Sequence, residues 1–381
     1  MVKFLLSITT AYLLQTASFV FAQVDNTFGS ALHSFRVVTV VKGLDTPWSM
    51  AWLPDGAMLV TERSGDLRIV RDGVLSQPVE GVPTVHAKSQ GGLFDVLPHR
   101  NYSVNKLVYL SYAQAVGKDS TTVVVRGRLE DDRLANIEKI FQAKTSGRDG
   151  HYGGRLAFDY NGHLFITVGE RQASTKKDLE NHPAQDRSNH QGVVVRIHDD
   201  GRIPADNPFV GKSDILPEIW SYGHRNPQGL AIHPITGDVW EGEHGPQGGD
   251  ELNIIQAGLN YGWPVVGYGV NYGSGAPIHS NQTLSDMEPP LHYWVPSIAT
   301  SGLMIYGGDK FPKWQGNIFI GGLKGRQLAR ITLSDDAKLV ENEETLVKGL
   351  GRIRDVRQGP DGFIYLADES NGVIVRLEPS N

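Results

Sequence analysis

Along most of the chain, short apolar runs alternate with turns rich in Asp, Asn and Gly, and no stretch keeps a helical apolar period long enough to compete. One unit recurs: an apolar run, a turn, a second apolar run and a polar end. It reads SMAWLPDGAMLVTERSGDLRIV from Ser49, RLAFDYNGHLFITVGER from Arg155 and GLAIHPITGDVWEGEHG from Gly229. It returns as GLMIYGGDKFPKWQGNIFIGGLKGRQLARITL from Gly302 and as DVRQGPDGFIYLADESNGVIVRLEP from Asp355, with a looser copy, GLFDVLPHRNYSVNKLVYLSYAQ, from Gly92. These unevenly spaced copies, with Asp-Gly and Asn-Gly marking hairpins, predict an all-β fold, a six-bladed β-propeller. The β-branched run at 35–41 precedes the first copy, where pairing with the last blade would close the ring. Residues 129–143 carry a weak helical pattern, but their place after the strand at 121–129 fits another hairpin as well.

Composition narrows the function. A chain of 381 residues is long enough for two or three domains, yet propellers exceed that prior as single units. With 36 basic and 42 acidic side chains and no Lys/Arg stripe, nucleic acid is excluded as a partner. The absence of cysteine excludes a disulfide, a thiolate ligand and a thiol nucleophile. Lys3, the apolar stretch to Phe21 and the small residues around Ala22 read as an export signal. The expectation is a leader at 1–22, one propeller domain at 23–381 and delivery to a periplasm, as monomer or homodimer. Thr, Gln and Ser within the stretch weaken the rival reading as a membrane anchor, and no later segment has the composition to span a bilayer.

The densest chemistry runs from Gly223 to Trp263, as GHRNPQGLAIHP, GEHGPQGGDELN and AGLNYGW. Arg225 offers a rigid guanidinium fork and Asn226 and Gln228 offer amides, a set suited to a flat, oxygen-rich anion. Backbone carbonyls at Gly245-Pro246, with Glu243, Asp250 and Glu251 nearby, are the hard oxygens Ca²⁺ prefers. The same residue types also serve tight turns for backbone reasons alone. In a propeller the loops converge on a central pocket, which selects Gln90, His151, Glu170, Arg171, Arg225, Asn226, Lys324, Arg352 and Arg354. Five cations from different copies at equivalent loop positions imply a ligand with several carboxylates.

These motifs resemble the soluble pyrroloquinoline quinone-dependent glucose/sorbosone dehydrogenases, and within them the periplasmic aldose sugar dehydrogenases. GHRNPQGLA at Gly223, GPQGGDELN at Gly245 and NYGWP at Asn260 carry the likeness, which extends from about Leu44 to Leu377. The resemblance implies a six-bladed propeller holding the quinone and Ca²⁺ over its central channel. It implies that His151 is the general base, that Gln90, Arg225, Asn226, Lys324, Arg352 and Arg354 hold the cofactor, and that Tyr272 lines its pocket. It also implies that the carbonyls of Gly245 and Pro246 bind the Ca²⁺ that touches the cofactor, and that Glu251 and the carbonyl of Tyr261 form a further Ca²⁺ site. Glu170 stands where some members have Asp beside the histidine, and the loops at 267–296, which hold no long match, are expected to set substrate range.

The residue types suit oxidation of an aldose at the anomeric carbon to the lactone, with electrons passed to an external acceptor. A histidine titrating near neutrality is matched to removing the hydroxyl proton while hydride leaves. Arg225 and Ca²⁺ would stabilise charge developing on the quinone. Two rivals stand beside this reading. A calcium-dependent propeller lactonase would share the blades, the calcium and a histidine, but has no reason to collect Arg225, Lys324, Arg352 and Arg354. A noncatalytic binding propeller would lack the His151 base. Zinc catalysis and Ser/His/Asp hydrolysis lack their HExxH and GxSxG signatures.

Overall fold

Six antiparallel sheets surround a common axis in the computed structural model, which describes residues 27–176, 178–334 and 339–380. The expected leader at 1–22 lies outside the described residues. The first blade is built from Pro47–Trp52, Met58–Glu62, Leu67–Arg71 and Val74–Leu75, and the second from Leu93–Pro98, Leu107–Val116, Asp119–Glu130 and Arg133–Gln142. Leu156–Phe158, His163–Val168, Val193–His198 and Ile219–Tyr222 form the third; Pro227–Ile232, Val239–Glu243, Asp250–Ile255 and His292–Trp294 form the fourth. The fifth comprises Thr300–Ile305, Ile318–Gly322, Gln327–Leu333 and Val340–Leu346. Ile353–Gln358, Ile364–Asp368 and Val373–Pro379 begin the sixth, which Ser34–Lys42 completes from the other end of the chain, with Thr27–Gly29 outside it.

Closure follows the expectation from the β-branched run. Val37 pairs with Leu377 and Phe35 with Pro379, so first and last segments share one sheet and the ring has no open seam. The first strand of each blade packs against its counterpart in the next, around the whole circle. Residues 129–143 belong to a hairpin, not a helix: Asp131 and Asp132 take positive φ angles of 50° and 57°, the primed turn that joins twisted antiparallel strands.

Each blade is covered on both faces, which is why its strands read as continuous apolar runs rather than alternation. Leu59 and Leu67 pack with Val108 and Val125 between the first two blades; Trp240 and Leu252 pack with Ile320 and Ile331 between the fourth and fifth. Equivalent layers fill the other gaps.

On the axis the packing is ionic. Arg155, fully buried, pairs with Asp355 at 2.9 Å, and Arg357 reaches Asp355 at 3.0 Å and Asp95 at 3.1 Å. The same acids cap backbone: Asp95 accepts from Leu156 N at 2.9 Å and Asp355 from Met50 N at 3.1 Å. Ser49 donates to Asp95. Two arginines and two aspartates thus tie together strands of the first, second, third and sixth blades with no net charge. Removing one member of a buried pair leaves its partner uncompensated. Arg155→Met is therefore expected to lower stability by about 3–5 kcal/mol in equilibrium denaturation; a change under about 1 kcal/mol would mean the blade cores alone hold the ring.

Candidate active site

In an antiparallel blade the start of the inner strand and the end of the second strand lie at the same edge. Loops into one and out of the other therefore gather at one mouth of the ring. Gln90 precedes Leu93–Pro98, His151 precedes Leu156–Phe158, and Arg225 and Asn226 precede Pro227–Ile232. Arg352 stands just before Ile353–Gln358, which carries Arg354; Glu170 follows His163–Val168, and Gly245 and Pro246 follow Val239–Glu243. A cavity of about 270 Å³ opens among these loops, lined by Gln90, Asn226, Gln228, His244, Arg352 and Arg354. A cleft of about 360 Å³ shares Gln90 and is lined by His151, Glu170, Arg225, Pro246, Trp263 and Tyr272.

The sharpest contact is His151 Nδ1 to Glu170 Oε1, 2.5 Å. With a carboxylate on Nδ1–H, the other ring nitrogen, Nε2, keeps its lone pair and is the one free to take a proton. Burial, and then the Arg225 charge, push the His151 pKa below its ordinary 6.5, against an upward pull from Glu170. Burial would raise the Glu170 carboxyl, yet His151 and Arg225 hold it low. The pair is thus a neutral imidazole oriented by a carboxylate. Its backbone is held just as firmly. His151 has φ 47°, the left-handed region, and its N–H donates to Gln90 Oε1 at 2.9 Å while its carbonyl accepts from Arg171 N at 3.2 Å. The longer arm of Glu170, where Asp occurs in some similar enzymes, still reaches the ring.

Arg225 is buried beside the histidine. Its guanidinium lies 5.1 Å from the Trp263 ring and donates to the carbonyls of His244 (2.9 Å) and Gly245 (2.7 Å), while Nε has no hydrogen-bond partner among the described residues. Asn226 Oδ1 accepts from Gly153 N and from Gln228 Nε2, which fixes the amide at the cavity wall. Gln228 Oε1 accepts from Arg354 at 3.0 Å.

One of the expected cations is placed otherwise. Arg171 turns inward, fully buried, with its guanidinium 3.7 Å from the Tyr152 ring and Nε on the Gly150 carbonyl at 3.1 Å. It buttresses the loop that presents His151 and is no pocket cation; an Arg flanked by an aromatic loop packs its plane on the ring. Lys324 is exposed at the end of its hairpin, next to Leu323, which lines the cavity. Arg352 and Arg354 do reach the cavity, but both bind Glu369 at 2.6 Å, a residue sequence reasoning passed over. In the sequence it directly follows Asp368, which closes the second strand as Glu62 and Glu243 do in their blades, and no local signal set it apart. His244 was also missed. Burial, then Arg354 and Arg225, keep its imidazole neutral, and Nε2 is buried without a hydrogen-bond partner among the described residues.

The expected calcium residues lie close by. A Cβ at Gly245 would sit 2.1 Å from the Gly249 carbonyl oxygen, so only glycine fits this turn. Its carbonyl faces Arg225, and the Pro246 carbonyl accepts from the Tyr272 hydroxyl at 2.9 Å; Tyr272 itself is exposed. Glu251 and Tyr261 line one small recess with Glu243 and Gly245. On the same face Asn253 Nδ2 donates to Glu241 at 3.1 Å and lies 3.5 Å from Glu243 and Glu251. Burial, and then the Glu243 charge, raise the pKa of both Glu241 and Glu251 well above 4.5. Glu241 Oε1 and Asn253 Oδ1 are buried acceptors without a donor. Three carboxylates and the Asn253 amide oxygen are a donor set for a hard divalent cation.

The family model of glucose/sorbosone dehydrogenases matches residues 44–376. The chain is 44% identical over 347 residues to the aldose sugar dehydrogenase YliI of Escherichia coli K12, covering 89% of this chain and 91% of that protein. The crystal structure of the soluble aldose sugar dehydrogenase from Escherichia coli in the apo form superposes with a TM-score of 0.84 at 41% identity, over 91% of this chain and 100% of that one. The PQQ-bound aldose sugar dehydrogenase from Streptomyces coelicolor superposes with a TM-score of 0.73 at 27% identity, over 90% and 98%. With propeller, oriented histidine and whole-length similarity in agreement, the chain belongs to the glucose/sorbosone dehydrogenase family.

Proposed function

We propose that this protein oxidises aldoses at the anomeric carbon to the lactone with pyrroloquinoline quinone and Ca²⁺, passing electrons to an external acceptor. The observation that carries this reading is the His151–Glu170 pair at 2.5 Å beside Arg225, on the wall of a cleft open to small polar substrates. The donor set fits the quinone: the unpartnered Nε of Arg225 and Nε2 of His244, together with the Arg352 and Arg354 guanidiniums, suit a flat polycarboxylate. When bound, the quinone supplies the two-electron acceptor and Ca²⁺ the Lewis acid that polarises it. Gln90, Arg225, Asn226, Lys324, Arg352, Arg354 and Tyr272 are the residues proposed to hold it. The Gly245 and Pro246 carbonyls, each with a second lone pair, would bind the adjacent Ca²⁺, and Glu251 with the Tyr261 carbonyl a further one.

The chain's own chemistry is proton handling. Nε2 of His151 takes the anomeric hydroxyl proton as hydride leaves the carbon, and Glu170 stabilises the imidazolium that results. Arg225, desolvated and held by two carbonyls, supplies fixed positive charge without reorganisation. Export to a periplasm, with residues 1–22 removed and 23–381 as one catalytic domain, completes the proposal. Among the described residues no helix is long and apolar enough to cross a membrane.

His151→Gln in the reconstituted enzyme is expected to cut kcat by about 10²–10⁴ with quinone affinity retained, the range for loss of a general base. Because burial and Arg225 lower the His151 pKa, the base is already neutral at pH 6.5, so the acid limb of kcat/KM should fall below 6.5. Glu170→Gln removes the upward pull and should move that limb lower still. A limb above pH 7, or unchanged turnover in the glutamine variant, would remove His151 from the mechanism.

For the acid cluster the sign runs the other way. A carboxyl whose folded pKa exceeds its unfolded value of 4.5 loses stability for the fold as pH rises through that window. In chelator, Glu251→Gln should therefore melt higher than the parent at neutral pH, by on the order of 1 kcal/mol, with the gap closing toward pH 4.5. Ca²⁺ at 100 times its Kd should stabilise the parent by about 2.7 kcal/mol and the variant much less. Equal calorimetric melting temperatures with and without Ca²⁺ would dismiss the metal. The mature chain is expected to begin at Gln23, read by intact mass; an N-terminus at Met1 in the exported protein would dismiss the leader.

A further inference from the structure

The cavity's arginines are not waiting for an anion bare: one carboxylate already holds both. Glu369 gives Oε1 to Arg352 Nε and Oε2 to Arg354 Nε, each at 2.6 Å, so two guanidiniums are clamped through their Nε edges. The terminal nitrogens are treated differently. Nη1 of Arg354 bonds Gln228 Oε1 at 3.0 Å, and Nη1 of Arg352 reaches the Leu323 carbonyl at 3.4 Å. All three charged side chains line the cavity, and that of Glu369 is only 9% exposed.

Neighbouring acids show that this carboxylate is not needed to build the blade. Glu62 ends the second strand of the first blade and accepts from Asp45 N; Glu243 does so in the fourth blade and accepts from Arg225 N and Asn226 N. In the sixth blade the acid ending that strand is Asp368, which accepts instead from Ser370 N and Asn371 N of the loop that follows it. Glu369 is additional. Its carboxylate bonds no backbone N–H among the described residues and spends both oxygens on the arginines. Burial would raise its pKa, but Arg354 and Arg352 hold it low, so it stays charged across the working range.

We propose that Glu369 is a resident counter-anion of the cofactor cavity, a positioning residue that orients Arg352 and Arg354 while limiting how tightly a polycarboxylate ligand is held. The inference rests on the quinone reading above. The three groups carry one net positive charge, so an entering carboxylate meets a partly neutralised pair and must share it. Such a site binds reversibly where bare arginines would trap. Negative charge at this position opposes the ligand over a short, poorly screened distance, which outweighs the order it gives two side chains of which Arg354 is also tied to Gln228.

The test is a fluorescence-quenching titration of the purified protein with pyrroloquinoline quinone in Ca²⁺ buffer, at low and high salt, with the melting temperature of each variant checked first. Glu369→Gln, close in shape but uncharged, is expected to lower Kd at least 10-fold at low salt and to steepen its salt dependence. Glu369→Asp, which restores the charge, should return Kd to within about 3-fold of the parent. Quinone binding by all three proteins with equal Kd, or weaker binding by the glutamine variant, overturns the counter-anion. No quinone binding by the parent overturns the cofactor reading and this inference with it, a result distinct from the first.

Discussion

The site depends on a charge-neutral plug at the centre of the ring. Arg155, Arg357, Asp95 and Asp355 come from blades far apart in sequence; Arg155 and both aspartates are buried where an unpaired charge would be costly, and Arg357 is half-buried against them. The plug also reaches upward. Arg155 donates through Nε to the Gln228 carbonyl at 2.7 Å and through Nη2 to the Arg354 carbonyl at 2.9 Å. Two residues of the cavity wall are thereby pinned by backbone to the axis, so the geometry of the site is inherited from the closure of the ring.

Above the plug the charges are arranged by sign. Burial first, and then the positive charge of Arg225, with Arg354 also acting on His244, keep both His151 and His244 neutral at pH values where exposed histidines would begin to charge. Glu170 and Glu369 are the two acids set among them, and each is committed: one to a histidine, one to two arginines. On the flank, Glu241, Glu243 and Glu251 crowd around Asn253 with the opposite imbalance. A cationic pocket and an anionic recess thus stand side by side, separated by Arg225 and its grip on the Gly245 carbonyl.

Much of this was legible along the chain. Repeats with Asp-Gly and Asn-Gly turns determined the blades because hairpin chemistry is local, and the run at 35–41 could only close the ring because an edge strand needs a partner. His151, Arg225 and Asn226 were placed at the mouth because a loop into an inner strand's start lies there, and Glu170 because the end of the second strand lies at the same edge. Arg171 misled for a related reason: it sits one residue past Glu170, and the sequence does not say which of two adjacent side chains turns inward onto Tyr152.

Partners separated by many residues were decided only by the tertiary structure. Nothing local pairs Asp95 with Arg357, a contact that exists once the second and sixth blades meet at the axis, and Glu369 reaches Arg352 and Arg354 only when the paired strands of the sixth blade bring their ends together. The sequence by itself determined the fold class, the family motifs and the residue types at the mouth, because hydrophobic periodicity and turn chemistry act over a few residues. Ring closure decided the charge state of each group, because burial and the distance to an opposite charge are properties of the assembled blades.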